Sequence, residues 1–151
     1  MARFVDAIDL SLPIEQAFDY LADFSRTAEW DPGVAEARQL DDGPVRLGTR
    51  FHVVVAFLGR RIPFEYEITS YERPQRLALR GRGGSVLSID ELTFCPREGG
   101  TRVTYEARLE LAGVAQLADP LLHLLFQRLG ASSARGLRET VARRGFSRAV
   151  S

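Results

Sequence analysis

Hydrophobic positions change period along the chain, and each change marks an element. Arg3 to Leu10 predicts a strand, stopped at Ser11-Leu12-Pro13, where Ser11 is placed to cap a helix and Pro13 to sit in its first turn. Ile14, Ala17, Phe18 and Leu21 then recur at helical spacing, opposite Glu15, Gln16, Asp19 and Asp23. Ser25 is expected to cap a short second helix, Arg26 to Trp30, with Asp31-Pro32-Gly33 as its stop signal. From Val34 to Leu111 the period drops to that of strands, with Asp42-Gly43, Gly59-Arg60, Gly83-Gly84 and Gly99-Gly100 as punctuation. From about Ala115 to Arg144 helical spacing returns, carried by Leu117, Leu121, Leu125 and Leu129 and continued by Leu137 and Val141.

Two hairpins can be registered from this pattern. A two-residue turn at Gly59-Arg60 sets Phe57 opposite Ile62, Val55 opposite Phe64, Val53 opposite Tyr66 and Phe51 opposite Ile68, with His52 facing Glu67 on the other side. In the last hairpin Phe94 falls opposite Val103, Leu92 opposite Tyr105, Asp90 opposite Ala107 and Ser88 opposite Leu109. Arg102, Thr104, Glu106, Arg108 and Glu110 then face solvent. Asp90 and Ser88 are the anomaly, polar residues on an apolar inner face.

The fold class is therefore α+β: a seven-stranded antiparallel curved sheet wrapping a long C-terminal helix, with two short helices after strand one. A one-sided sheet needs a cover, and the C-terminal helix is the element large enough to supply it. One helix roughly 10 Å wide does not fill the concavity of such a sheet, so a cavity between them is expected.

Length and composition narrow the picture further. The chain has 151 residues, 45% hydrophobic and 26% charged, the size and make-up of one globular domain. We expect a single domain over residues 1–145 and a loose tail over 146–151. Twenty basic residues offset twenty acidic ones, which argues against nucleic acid or an acidic membrane surface as a partner. All the basic residues are Arg, and Lys and Asn are absent, a bias that fits a GC-rich bacterial genome. Without Lys the chain has no Schiff-base chemistry. One cysteine, Cys95, and two histidines leave little material for a metal site, and no metal or cofactor is expected. No run is apolar and long enough for a membrane span, and the N-terminus lacks a signal-peptide pattern, so the cytoplasm is the expected location.

The strand-helix-helix-meander-helix order comes with recognisable motifs: Ser25-Arg26-Thr27-Ala28-Glu29-Trp30-Asp31-Pro32-Gly33, Gly48-Thr49-Arg50-Phe51, Gly100-Thr101-Arg102 and the amphipathic last helix. On these the chain resembles the polyketide cyclase/dehydrase-like branch of the START/Bet v 1 (SRPBCC, helix-grip) superfamily, over nearly its whole length. The resemblance implies a hydrophobic cavity under the C-terminal helix, used across the superfamily for lipids, sterols, hormones, polyketides and aromatic compounds. Some relatives catalyse ring closure or dehydration; many only bind.

The expected ligand-binding residues are Phe51, Val53, Val55, Phe64 and Tyr66 from the first hairpin. Leu79, Leu92, Tyr105 and Leu121 join them, and Trp30 is expected to close one end. Tyr66 and Tyr105 supply phenols to such a cavity. Asp90, flanked by Leu92, Ala107 and Leu77, is the candidate general acid or base, since burial raises a carboxyl pKa. His123 projects away from the leucine stripe, His52 is placed to pair with Glu67, and Arg128 lies at the stripe's edge, within reach of an acidic ligand or Asp90. Arg143, Arg144 and Arg148 suit the C-terminal end of a helix dipole, and Gly81-Arg82-Gly83-Gly84 has no following helix and is no phosphate loop. The leading expectation is a binder of a small hydrophobic or aromatic molecule. The alternatives are a cyclase, aromatase or dehydratase using a cavity acid, and a protein-interaction or stress-regulatory module. Neither the ligand nor the oligomeric state is legible.

Overall fold

The computed structural model describes residues 2–57, 59–111 and 131–142. Strand β1 (Ala2–Leu10) leads into helix α1 (Ile14–Ala22), a 3-10 turn at Phe24–Arg26 and the single-turn helix α2 (Thr27–Trp30). Then come β2 (Val34–Gln39), β3 (Arg50–Phe57), β4 (Arg60–Glu72), β5 (Arg76–Gly83), β6 (Val86–Arg97) and β7 (Gly100–Leu111). The described part of the last helix, α3, covers residues 131–142. The strands form one seven-stranded antiparallel sheet in the order β1-β7-β6-β5-β4-β3-β2. This is the expected α+β architecture. The stretch 112–130, with Leu121, His123 and Arg128, and the residues after 142, with Arg143, Arg144 and Arg148, lie outside the described residues.

The β6–β7 register is the expected one, including Asp90 opposite Ala107 and Ser88 opposite Leu109. In the β3–β4 hairpin the pairing differs by two residues: Phe51 lies opposite Tyr66, Val53 opposite Phe64 and Val55 opposite Ile62. Arg60 is already in the ladder, paired with Phe57, so the turn falls one residue earlier than expected. A shift of two leaves every side chain on its own face. It does change neighbours: His52 stands opposite Glu65, and the acid it approaches is Glu36, at 3.9 Å, rather than Glu67.

Two caps also differ from expectation. Pro13, not Ser11, is the N-cap of α1, and no side chain caps it. The corner is held instead by the Thr101 hydroxyl, which donates to the Leu12 carbonyl at 2.7 Å. At the second turn Asp23 accepts the Ser25 amide at 3.1 Å, so Asp23 takes the capping role expected of Ser25.

The Gly-Thr-Arg motif has a physical basis in this corner. A Cβ at Gly100 would stand 2.0 Å from the Leu10 carbonyl oxygen, so only glycine admits the chain there. Thr101 anchors Leu12, and Arg102 pairs with Asp9 at 2.9 Å outside. At the other triplet the Thr49 hydroxyl accepts the Arg46 amide at 2.9 Å, and Arg50 pairs with Asp41 at 2.9 Å.

One extra residue bends the middle of the sheet. Ile68 pairs with Leu79 and Ser70 with Ala78, leaving Thr69 as a β-bulge in β4. Beyond it Tyr71 packs edge-on against Phe18 of α1, ring centroids 5.2 Å apart. Phe18 also meets Phe94, and with Leu21, Ile8 and Val103 they form a core between α1 and the β1 side of the sheet.

Helix α3 is fastened on two flanks. Ser133 donates to Asp31 at 2.8 Å, and Thr140 to the Glu29 carbonyl at 3.2 Å, both on the α2 side. Between them a Cβ at Gly136 would lie 2.1 Å from the Trp30 carbonyl oxygen, so helix and turn meet backbone to backbone. These positions recur at the spacing of one helix face. On the other flank Arg138 reaches Asp6 at 3.3 Å and the Ala7 carbonyl at 3.2 Å on β1.

Candidate functional site

The inner face of the sheet is read most clearly in rows across the strands. One row runs Phe51, Tyr66, Gly81, Ser88 and Leu109. The next runs Ile68, Leu79, Asp90, Ala107 and Phe4. Asp90 therefore neighbours Leu79 rather than Leu77, which pairs with Leu92 one row further on. Alternation turns Asp90 inward, and it is 5% exposed, as is Ser88.

These polar side chains form one cluster. Ser88 donates to Asp90 Oδ1 at 2.9 Å, and Tyr105, reaching diagonally from β7, donates to Oδ2 at 2.5 Å. Tyr66 lies in the same row as Ser88, two strands away across Gly81. Its ring lies across the β5 backbone, where a Cβ at Gly81 would come within 2.6 Å of it. Two residues on, a Cβ at Gly83 would stand 3.0 Å from the Phe64 ring. A pair of inward-facing glycines thus seats Phe64 and Tyr66, whose rings pack at 5.9 Å.

Burial dominates the electrostatics. It pushes the Asp90 carboxyl from its ordinary 3.8 up to about 6, against the opposing pull of the Tyr105 and Ser88 hydrogen bonds and with a further upward push from Asp31. Burial, with the Asp90 charge behind it, raises both Tyr66 and Tyr105, so both phenols keep their protons. Asp31 is raised by burial too, although Gly33 and Ser133 donate to it. Trp30 is 5% exposed and its indole N–H is buried with no acceptor among the described residues.

Phe51, Val53, Phe64, Leu79 and Leu92 are buried in the same core cluster as Trp30 and Tyr66, with Val55 and Tyr105 partly buried against it. Sequence reasoning misses Gly81 and Gly83 as site builders. Their signal is present, two glycines at strand spacing inside an otherwise apolar face. It also misses Asp31, which reads there only as a helix stop. Among the described residues no group of His, Cys, Asp and Glu is arranged to hold a metal ion, and no helix is long and apolar enough to cross a membrane.

The chain is similar in fold to several solved structures. A START superfamily protein from Mycobacterium smegmatis aligns over 95% of this chain and 99% of its own, with TM-score 0.80 and 12% identity. The protein TTHA0849 from Thermus thermophilus aligns over 95% and 97%, with TM-score 0.77 and 21% identity. Protein NE0264 from Nitrosomonas europaea aligns over 95% and 96%, with TM-score 0.67 and 16% identity. No curated protein matches the sequence. The family model described as polyketide cyclase/dehydrase and lipid transport matches residues 1–142, nearly the whole described domain and the expected motifs with it; the chain belongs to that family.

Proposed function

We propose that the protein binds a small hydrophobic or aromatic molecule between the inner face of the sheet and the C-terminal helix. The observation that carries this reading is the Asp90, Ser88, Tyr105 and Tyr66 cluster, set among apolar residues in the middle of a sheet that needs no carboxylate there. Ligand sites are built this way, apolar walls with a few convergent polar groups. The unpaired Trp30 indole supports it, since a buried donor without an acceptor costs about 1–3 kcal/mol. Among the described residues only Val5 and Leu47 are large hydrophobics left exposed, which gives a protein-interaction module little to work with.

The test is a thermal-shift screen against fatty acids, sterols, aromatic acids, aromatic amines and polyphenols. A ligand at 100 times its dissociation constant adds about 2.7 kcal/mol of stability. A shift of that size, lost in Val55→Trp, is expected. A flat response to every class, together with native mass spectra showing no bound molecule, would remove the reading.

A second reading is favoured by one observation. A carboxyl near 6 that shares a short hydrogen bond with a phenol is suited to moving a proton beside a substrate carbonyl. On this reading Asp90→Asn abolishes turnover of a bound polyketide-like ketone while leaving its affinity intact.

A further inference from the structure

The direction of the hydrogen bonds in the cluster restricts the ligand. Each hydroxyl has one proton. Ser88 gives its proton to Asp90 Oδ1 and Tyr105 gives its proton to Oδ2. Both protons therefore point toward the carboxylate, and what this pair of bonds leaves for a ligand is lone pairs: those on Asp90 and on the Tyr105 oxygen.

The charge points the same way. Among the described residues, cations on the neighbouring elements are engaged elsewhere or exposed: Arg138 of α3 pairs with Asp6, Arg108 of β7 with Glu91 and Arg76 of β5 with Glu72, and Arg135 of α3 is exposed. Arg80 and Arg82 of β5 alternate onto the outer face and are exposed. Facing Asp90 are Tyr105 of β7, Tyr66 of β4 and, further off, Asp31 after α2, none of them a cation. Among the described residues the buried carboxylate has no counter-charge. A buried charge is stable only when paired, and an acidic ligand would add a like charge beside it.

Resting on the binding reading above, we propose that the ligand is a cationic amine with an apolar or aromatic body, its ammonium group donating to Asp90 and to the Tyr105 oxygen. The ammonium supplies donors to the lone pairs on Asp90 and Tyr105 and a positive charge beside a carboxylate that has none among the described residues. Carboxylates and phosphates are disfavoured on both counts, and a neutral alcohol, which brings one donor and no charge, falls between.

Three probes with one body separate these chemistries: naphthylethylamine, naphthylethanol and naphthylacetate, titrated calorimetrically into the full chain at about pH 8, where the carboxylate is ionised. The expected order is amine, alcohol, acid, with about a tenfold or greater advantage of amine over acid. Asp90→Asn is expected to erase most of the amine's advantage and to leave the alcohol within about threefold. Should that variant fail to fold, the wild-type protein still decides the matter. Lowering the pH through the Asp90 titration, near 6, is expected to weaken the amine and spare the alcohol. Naphthyl probes that bind equally well, or an acid that binds tightest, would overturn the amine proposal and leave the binding reading standing. No saturable binding of any of the three would overturn both.

Discussion

Tyr66 rests on the backbone of its neighbour strand at Gly81, close enough that a single methyl group there would stand 2.6 Å from ring carbons Cε1 and Cζ. The contact involves carbon atoms of the ring, not the phenol oxygen. Gly81→Ala is therefore expected to destabilise the fold by about 1–3 kcal/mol by overpacking. Tyr66→Phe should not relieve it, since the ring remains, whereas Tyr66→Leu should recover part of the loss. Urea unfolding of the single and double variants measures the coupling; a Gly81→Ala chain as stable as wild type would mean the ring moves aside freely.

Asp90 predicts a pH dependence of stability. Its folded-state pKa is raised from 3.8 to about 6, so between these values the folded protein holds a proton that the unfolded chain has released. Stability contributed by this group is present below the unfolded value and is lost as the pH rises through the folded one, by up to about 3 kcal/mol. Asp9 acts in the opposite sense at lower pH, since Arg102 and Arg97 hold it down to about 2. The difference between wild type and Asp90→Asn, followed by urea midpoints across the window, isolates Asp90. Parallel curves would show that the carboxyl titrates normally.

Trp30 offers a separation of packing from hydrogen bonding. Its ring is in the core and its N–H lacks an acceptor among the described residues. Trp30→Phe removes the orphaned donor and keeps most of the apolar body, so a change within about 1 kcal/mol is expected. Trp30→Ala should cost about 3–5 kcal/mol. A Phe variant as damaged as the Ala variant would show that the indole nitrogen has a partner in solution.

At Gly136 the ordinary helix preference should be reversed. Alanine in a helix interior is favoured over glycine by about 1 kcal/mol, yet here its Cβ would meet the Trp30 carbonyl oxygen at 2.1 Å. Gly136→Ala is expected to lower stability by about 1–3 kcal/mol and to speed amide exchange in α2. A stabilised variant would show that the helix can lift off the turn at no cost.

Much of the fold is legible in the sequence because of parity. The β6–β7 register follows from matching Phe94, Leu92 and Asp90 against Val103, Tyr105 and Ala107, and it turns the odd acid inward correctly. In the first hairpin the pattern puts the turn one residue late, yet an even shift in pairing preserves both faces. Caps are harder, since Ser11 is a good capping residue by type and the corner is held by Thr101, about ninety positions away. The glycines beneath Tyr66 and Phe64 look like punctuation, because what distinguishes a seat for a ring from a turn is the ring, and that lies on another strand.

The extra residue at Thr69 has an unexpected bearing on how relatives of this chain can vary. Ile68, Ser70 and Tyr71 take the partners Leu79, Ala78 and Leu77, the succession that an uninterrupted strand would also give. Deleting Thr69 would therefore turn no side chain to the wrong side; it would take away a bend. The curvature of the sheet is set partly by such insertions in the backbone, so a descendant can sharpen or relax the bend by gaining or losing a single residue, with every inward-facing residue unchanged.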